Sequence, residues 1–257
     1  MKKISLMTLA LVAGFASVSE AKISQYATGK VSLNSVKSEA ESKDNGSSTF
    51  TFGDDSMSAT RSENSSLDAD DMGAALSVGY GLDFGNGFRS DVELSYNTTT
   101  KDSKNVSGNI VTVAGGQTMS NVEVGDVPME LQTKSTTLML NGYYDIKTGT
   151  EWTPYVMAGV GYAHVDNTIK DVMGTEAEKH RADNFAYQAG VGVSYALTSN
   201  IALDAGYRYI DLGKTEYKET TREEQDMMGT KIVENSSSSL ETKNSMNQFS
   251  IGARVAF

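Results

Sequence analysis

"FAYQAGVGVSYALTSNIALDAGYRYIDL", residues 185–212, holds two period-two runs separated by three turn residues. In the first run Phe185, Tyr187, Ala189, Val191, Val193, Tyr195 and Leu197 alternate with Gln188, Gly190, Gly192, Ser194 and Ala196. In the second, Ile201, Leu203, Ala205, Tyr207 and Tyr209 stand against Asp204, Gly206, Arg208 and Asp211, and Thr198-Ser199-Asn200 lies between the two. Successive side chains of a strand point to opposite faces, so the stretch predicts two antiparallel strands, each with an apolar and a polar face.

Six more runs of this kind occur: "QYATGKVSLNSV" (25–36), "AALSVGYGLDF" (74–84), "FRSDVELSYN" (88–97), "STTLMLNGYYDI" (135–146), "PYVMAGVGYAH" (154–164) and "QFSIGARVAF" (248–257). The first has the weakest alternation. Short turns, such as Gly85-Asn86-Gly87, alternate with long polar connections at about 37–72, 99–134, 166–184 and 213–246. Short and long connections in turn describe an up-and-down meander with both termini at the short-turn end.

The polar faces decide between a soluble sandwich and a barrel. They carry Lys30, Asp83, Arg89, Asp91, Glu93, Asp145, Asp204, Arg208 and Arg254 among many glycines and other small residues. Small residues with charges of both signs suit a crowded lumen better than an open surface. Aromatic residues at run ends (Tyr26, Phe84, Phe88, Tyr96, Tyr144, Phe185, Tyr195, Tyr209 and Phe257) suit girdles at two membrane interfaces. The expected fold is therefore all-β: an eight-stranded antiparallel transmembrane barrel with long extracellular loops and short periplasmic turns. A secreted sandwich is the second reading.

The N-terminus agrees with export. Lys2 and Lys3 precede a mostly apolar stretch, 4–18, and small residues Ser19 and Ala21 follow. This has the anatomy of a secretory signal peptide over 1–21, leaving 22–257 as the barrel. Its loss would remove Lys2, Lys3 and Glu20, so that 20 basic and 32 acidic residues remain, a net charge of −12. Such a balance disfavours nucleic acid as a partner, and it permits divalent cations or a basic surface. The chain has no cysteine, so disulfides contribute nothing to its stability.

Residues 136–146, "TTLMLNGYYDI", then 153–167, "TPYVMAGVGYAHVDN", and 185–214, "FAYQAGVGVSYALTSNIALDAGYRYIDLGK", resemble the second half of small opacity-type surface antigens. These are eight-stranded barrels related to the OmpA-type transmembrane domain, and they include rickettsial adhesins. The first half of the chain matches only in texture, and no peptidoglycan-binding domain is recognisable. The resemblance implies a bacterial outer-membrane location and adhesion to a host surface or matrix protein. The terminal stripe Phe249, Ile251, Ala253, Val255 and Phe257 resembles the C-terminal signal read by the barrel-assembly machinery. In a closed barrel this last strand pairs with the first, and the stripe faces outer-membrane lipid.

Other chemistry is thin. The glycines of "AGVGYA" and "AGVGVSYA" lie inside strands, not at a strand-to-helix turn, so a dinucleotide loop is not expected. Arg89, Arg208 and Arg254 are expected to pair with Asp91, Glu93 and Asp204 inside a barrel just wide enough for side chains to fill it. A structural outer-membrane protein or narrow ion channel is the alternative function. His164, with lipid-facing parity, is a polar interface residue or the base of a lipid-modifying enzyme; the first reading is preferred. His180 reads as a solvated loop residue, and Asp68-Ala69-Asp70-Asp71 lacks the spacing of a full calcium loop. No enzyme activity, cofactor or metal is expected. The loops have the composition of flexible segments, with Phe50, Phe52, Met227, Met228, Ile232 and Val233 as apolar contacts for a partner. Those residues could equally extend the strands as hairpins above the membrane.

Overall fold

The computed structural model describes residues 23–52, 55–99, 102–114, 117–171, 178–227 and 230–257; the expected signal peptide lies outside them. Nine strand segments follow in order: β1 Ser24–Phe52, β2 Asp55–Asp83, β3 Phe88–Thr99, β4 Asp102–Ala114, β5 Gln117–Asp145, β6 Trp152–Asp171, β7 Glu178–Ala196, β8 Ile201–Met227 and β9 Thr230–Ala256. They fill eight places in one antiparallel ring, because β3 and β4 share a place. β3 lies between β2 and β5 near the short turns, and β4 lies between the same two strands further out. The ring closes where β1 pairs with β9 as well as with β2. That seam runs to the last residue: the Phe257 amide donates to the Gln25 carbonyl at 2.9 Å, and the Gln25 amide donates back at 3.3 Å.

The short turns are fixed by local chemistry. Gly85 and Gly87 take φ of 75° and 96°, a region that a side chain disfavours. The Asp83 carboxylate accepts from the Gly85 amide at 2.8 Å and the Asn86 side chain from the Phe88 amide at 3.1 Å. Between β7 and β8 the Thr198 hydroxyl accepts from the Ile201 amide at 3.0 Å.

Sidedness is inverted relative to a soluble protein. Along β3 the buried positions are Arg89, Asp91, Glu93, Ser95, Asn97 and Thr99, while Val92, Leu94 and Tyr96 are exposed. Among the described residues 23 buried side chains are polar or charged and 13 are apolar, so the interior is mainly polar. The exposed apolar residues continue round the ring, with Val31 at 61 %, Leu76 at 60 % and Ile251 at 66 %. An apolar belt of this extent requires hydrocarbon as its solvent. Aromatic pairs mark its edges: Phe88–Tyr144 with centroids 5.0 Å apart, Trp152–Tyr195 at 4.7 Å and Tyr162–Phe185 at 6.4 Å. Tyr26 departs from the expected girdle. It is 2 % exposed and points into the lumen, because it has the parity of Thr28 and Lys30 rather than that of Ala27 and Val31.

The stretches read as long loops are largely strand. β1 and β2 pair without a break from Ser24↔Asp83 to Phe52↔Asp55, through all of the described part of 37–72. Ladder hydrogen bonds come from the backbone, so Ser, Thr and Glu sustain them where neither lipid nor core demands alternation. At roughly 3.3 Å per residue, the 16 residues 37–52 add about 50 Å of strand beyond the apolar belt. We call this outer part the crown.

Among the described residues the crown is not a complete ring. β7 last pairs with β8 at Tyr187↔Asp211. There β8 shifts register between Asp211 and Lys214, with Gly213 at φ 82°. The β6–β7 hairpin also stops early, β6 ending at Asp171, whereas β8 and β9 stay paired to Met227↔Thr230. The crown is thus a tall curved wall of β8, β9, β1, β2, β4 and β5 with a notch above β6–β7.

Candidate functional site

Two places hold functional side chains, the lumen and the crown. At the turn end of the lumen Arg89 grips Asp145 with two bonds, Nε–Oδ2 at 2.6 Å and Nη2–Oδ1 at 2.8 Å. Its guanidinium stacks 4.5 Å from the Tyr143 centroid and 5.4 Å from that of Tyr155. Arg254 lies 3.5 Å from Asp204 and 5.6 Å from the Tyr26 centroid, and the Ser194 hydroxyl donates to Asp204.

Further in, Glu93 receives Lys30 Nζ at 2.7 Å, Arg208 Nη1 at 2.5 Å and the Ser95 hydroxyl at 3.1 Å. Asp91 accepts from Asn141 Nδ2 at 2.8 Å and from the Tyr26 hydroxyl at 3.2 Å. An amide layer follows. Gln248 accepts from Arg208 Nε and donates to Asn34 Oδ1 at 2.7 Å, while Gln188 donates to Asn141. Above it Val36, Met139, Ala163, Val165, Ala186, Ile210, Leu212 and Met246 form an apolar stopper.

Arg208–Glu93 and Arg254–Asp204 pair, but Arg89 is committed to Asp145 and Asp91 to a tyrosine and an amide. Lys30 was missing from the expected pairs, although its place on the polar face of the first run was a sufficient signal. Two lumen cavities between these groups measure about 10 Å³ each, room for about one water apiece. With charge, amide and apolar layers stacked in sequence, the purified protein in planar bilayers is expected to show no steady ionic current. A persistent ohmic conductance of porin size would contradict the packed lumen.

The crown carries the remaining candidates. Phe50 stands opposite Met57 on β2 and Ile232 on β9, and Val233 stands opposite Thr49. By the parity of their strands Phe50, Met57 and Ile232 share the concave face. Phe52 and Met227 pair at the hairpin tips through their backbones, and Met228 lies outside the described residues. On the convex face Lys214 bridges Glu241 at 2.6 Å and Glu216 at 3.3 Å. The Glu241 carboxylate raises the Lys214 pKa, and Lys214 in turn lowers that of Glu216. Counted from the sequence, residues 37–70, 100–133, 166–184 and 214–244 hold 13 Lys and Arg against 24 Asp and Glu, so the crown is acidic.

His164 faces outward, its Nδ1 2.6 Å from Asp183 and its Nε2 3.7 Å from Asp166, which Arg181 also contacts at 2.9 Å. Among the described residues no hydroxyl is hydrogen-bonded to it, and no group of three His, Asp or Glu side chains is placed to hold a metal. The arrangement holds the imidazole between two carboxylates.

The profile of the family described as "Surface antigen" matches residues 7–257. Outer membrane protein PagN of Salmonella typhimurium is 34 % identical over 190 residues, covering 72 % of this chain and 73 % of PagN. Major surface antigen 4 of Anaplasma marginale is 37 % identical over 86 residues, 33 % of this chain and 27 % of that protein. Among solved structures, Neisserial surface protein A aligns over 85 % of this chain and 97 % of its own, at 18 % identity and a TM-score of 0.40.

Proposed function

This chain belongs to the surface-antigen family of outer-membrane β-barrel proteins, and we propose that it is an adhesin whose crown binds macromolecules outside the cell. The observation that carries this reading is the contrast between a packed lumen and a crown whose strands continue for about 50 Å of their own length past the apolar belt. The belt and the lumen layers account for the membrane-embedded part of the chain. The crown serves neither purpose, yet it contains much of the sequence. A rigid barrel that lifts a strand wall clear of the surface is suited to contact.

In this reading the crown is extracellular, and the short turns and both termini are periplasmic. Residues 1–21 direct export, and the stripe from Phe249 to Phe257 is presented to the assembly machinery before β9 seals against β1. The barrel performs no catalysis, His164 being a polar residue of the outer interface. The acidic balance of the crown favours basic surfaces of host surface or matrix proteins.

The test shortens the β1–β2, β4–β5 and β8–β9 hairpins to the height of β6–β7 and leaves the belt intact. The barrel should still reach the outer membrane and migrate as a folded species, while cells expressing it lose binding to host matrix proteins and cell layers. Binding unchanged by the shortening would sink the adhesin reading.

A further inference from the structure

The notch leaves strand edges open. From 216 to 227 β8 is paired with β9 alone, and among the described residues nothing pairs along its other side. Across the notch β5 is in the same condition from 117 to 128, since β6 reaches only to Met129. An open edge presents a row of backbone amides and carbonyls, and an incoming extended chain satisfies them by adding a strand.

The charges on β8 say which kind of chain fits. Its two cations along the open edge, Lys218 and Arg222, are already neutralised by Glu216 at 3.7 Å and Glu224 at 2.6 Å, and Lys214 just before the edge by Glu241. Glu219 and Glu223 make no ion pair among the described residues. Glu219 accepts from the Tyr217 hydroxyl, at 3.2 Å. Glu223 stands directly opposite Glu234 of β9, and like charges in that position destabilise a ladder. A cation arriving on a neighbouring strand removes the repulsion. A second copy of this chain would not do so, because its own edge brings the same acidic surplus.

We propose that the open edge of β8, residues 216–227, takes up an extended basic peptide segment by strand addition, with lysines or arginines of the added strand meeting Glu219 and Glu223. The inference rests on the crown being the binding surface, and it names the chemistry of the partner. The mixed charges along the edge keep it from pairing indiscriminately and select for sign as well as for extended backbone.

The probe is a fluorescent 12-residue peptide alternating lysine with valine or threonine, titrated against the full chain in detergent micelles. It should bind, and Glu219→Gln together with Glu223→Gln should weaken it about tenfold. The same peptide N-methylated at alternate amides keeps its charge but cannot complete a ladder, and it should lose binding. Equal affinity for the methylated peptide, equal affinity for a glutamate-for-lysine peptide, or indifference to the double substitution would each overturn strand addition. So would peptide-free dimers abolished by that substitution, since the edge would then serve a second copy. If the peptide fails while shortened hairpins still lose cell binding, strand addition falls and the crown reading stands. If the peptide binds while shortening leaves cell binding unchanged, the crown reading falls alone.

Discussion

Glu93→Ala is expected to lower the unfolding free energy by about 3–5 kcal/mol. Glu93 is fully buried and is the shared counter-ion of Lys30 and Arg208, themselves almost out of contact with solvent. Its removal leaves two buried cations, Arg208 with the Gln248 carbonyl and Lys30 with the Tyr143 hydroxyl at 3.5 Å as their remaining bonds among the described residues. The cost comes from the stranded charges rather than from the pair attraction alone, because burying all three groups was itself unfavourable. The triple change Lys30→Met, Glu93→Leu and Arg208→Met should therefore recover most of the loss, since apolar volume replaces the cluster without desolvating a charge. Urea unfolding from lipid vesicles, followed by Trp152 fluorescence and by the mobility of the folded band on gels, measures both. A loss below about 1 kcal/mol for Glu93→Ala would mean that water reaches the lumen.

The second large effect is steric. A Cβ built on Gly161 would overlap the Leu138 carbonyl oxygen and lie 2.8 Å from the Met139 Cα, both backbone atoms of the neighbouring strand. Neither atom moves without parting β5 from β6. Gly161→Ala should cost about 1–3 kcal/mol and Gly161→Val more, enough to leave much of the protein unfolded after refolding into vesicles. Gly29→Ala and Gly142→Ala are the controls. A Cβ at either meets nothing within 4 Å, so alanine there should be neutral or stabilising by roughly 0.5 kcal/mol. Equal effects at all three positions would show that backbone freedom, and not lumen crowding, decides where glycine is needed.

The barrel wall was legible because lipid on one side and a packed lumen on the other impose the period of two. Residues 185–212 show it, and so does β3, where Arg89, Asp91 and Glu93 alternate with Ser90, Val92 and Leu94. The crown was legible as strand only through its few apolar residues, which admitted hairpins above the membrane, while its composition read as loop. Water bathes both faces of 37–52, so "KSEAESKDNGSSTFTF" pairs along its whole length while looking like a loop. Tyr26 misled by residue type, since its aromatic ring suggested the interface while its parity pointed inward. The lumen residues were found, but not the partnership of Arg89 with Asp145. That pair depends on the register of β3 on β5, where Phe88 faces Tyr144, and register is written in no single run. The open edge of β8 left no trace in sequence either, because it arises from the difference in height between two hairpins.

The lumen bonds also say something about the order in which the molecule can be made. Arg208 meets Glu93 across 115 positions of chain, and Gln248 meets Asn34 across 214. No run of a few strands consecutive in the chain contains both halves of such a pair, and Asn34 meets Gln248 only across the β1–β9 seam. A half-assembled sheet in hydrocarbon would therefore expose arginine, lysine and glutamate to lipid, at several kcal/mol for each group. Strand-by-strand insertion is then a staircase that climbs until its last step, when β9 meets β1 and the long-range lumen bonds close together. Such a chain crosses the membrane as a closed object or with a polar surface standing in for the missing wall. Once closed, it has no cheap partial way back.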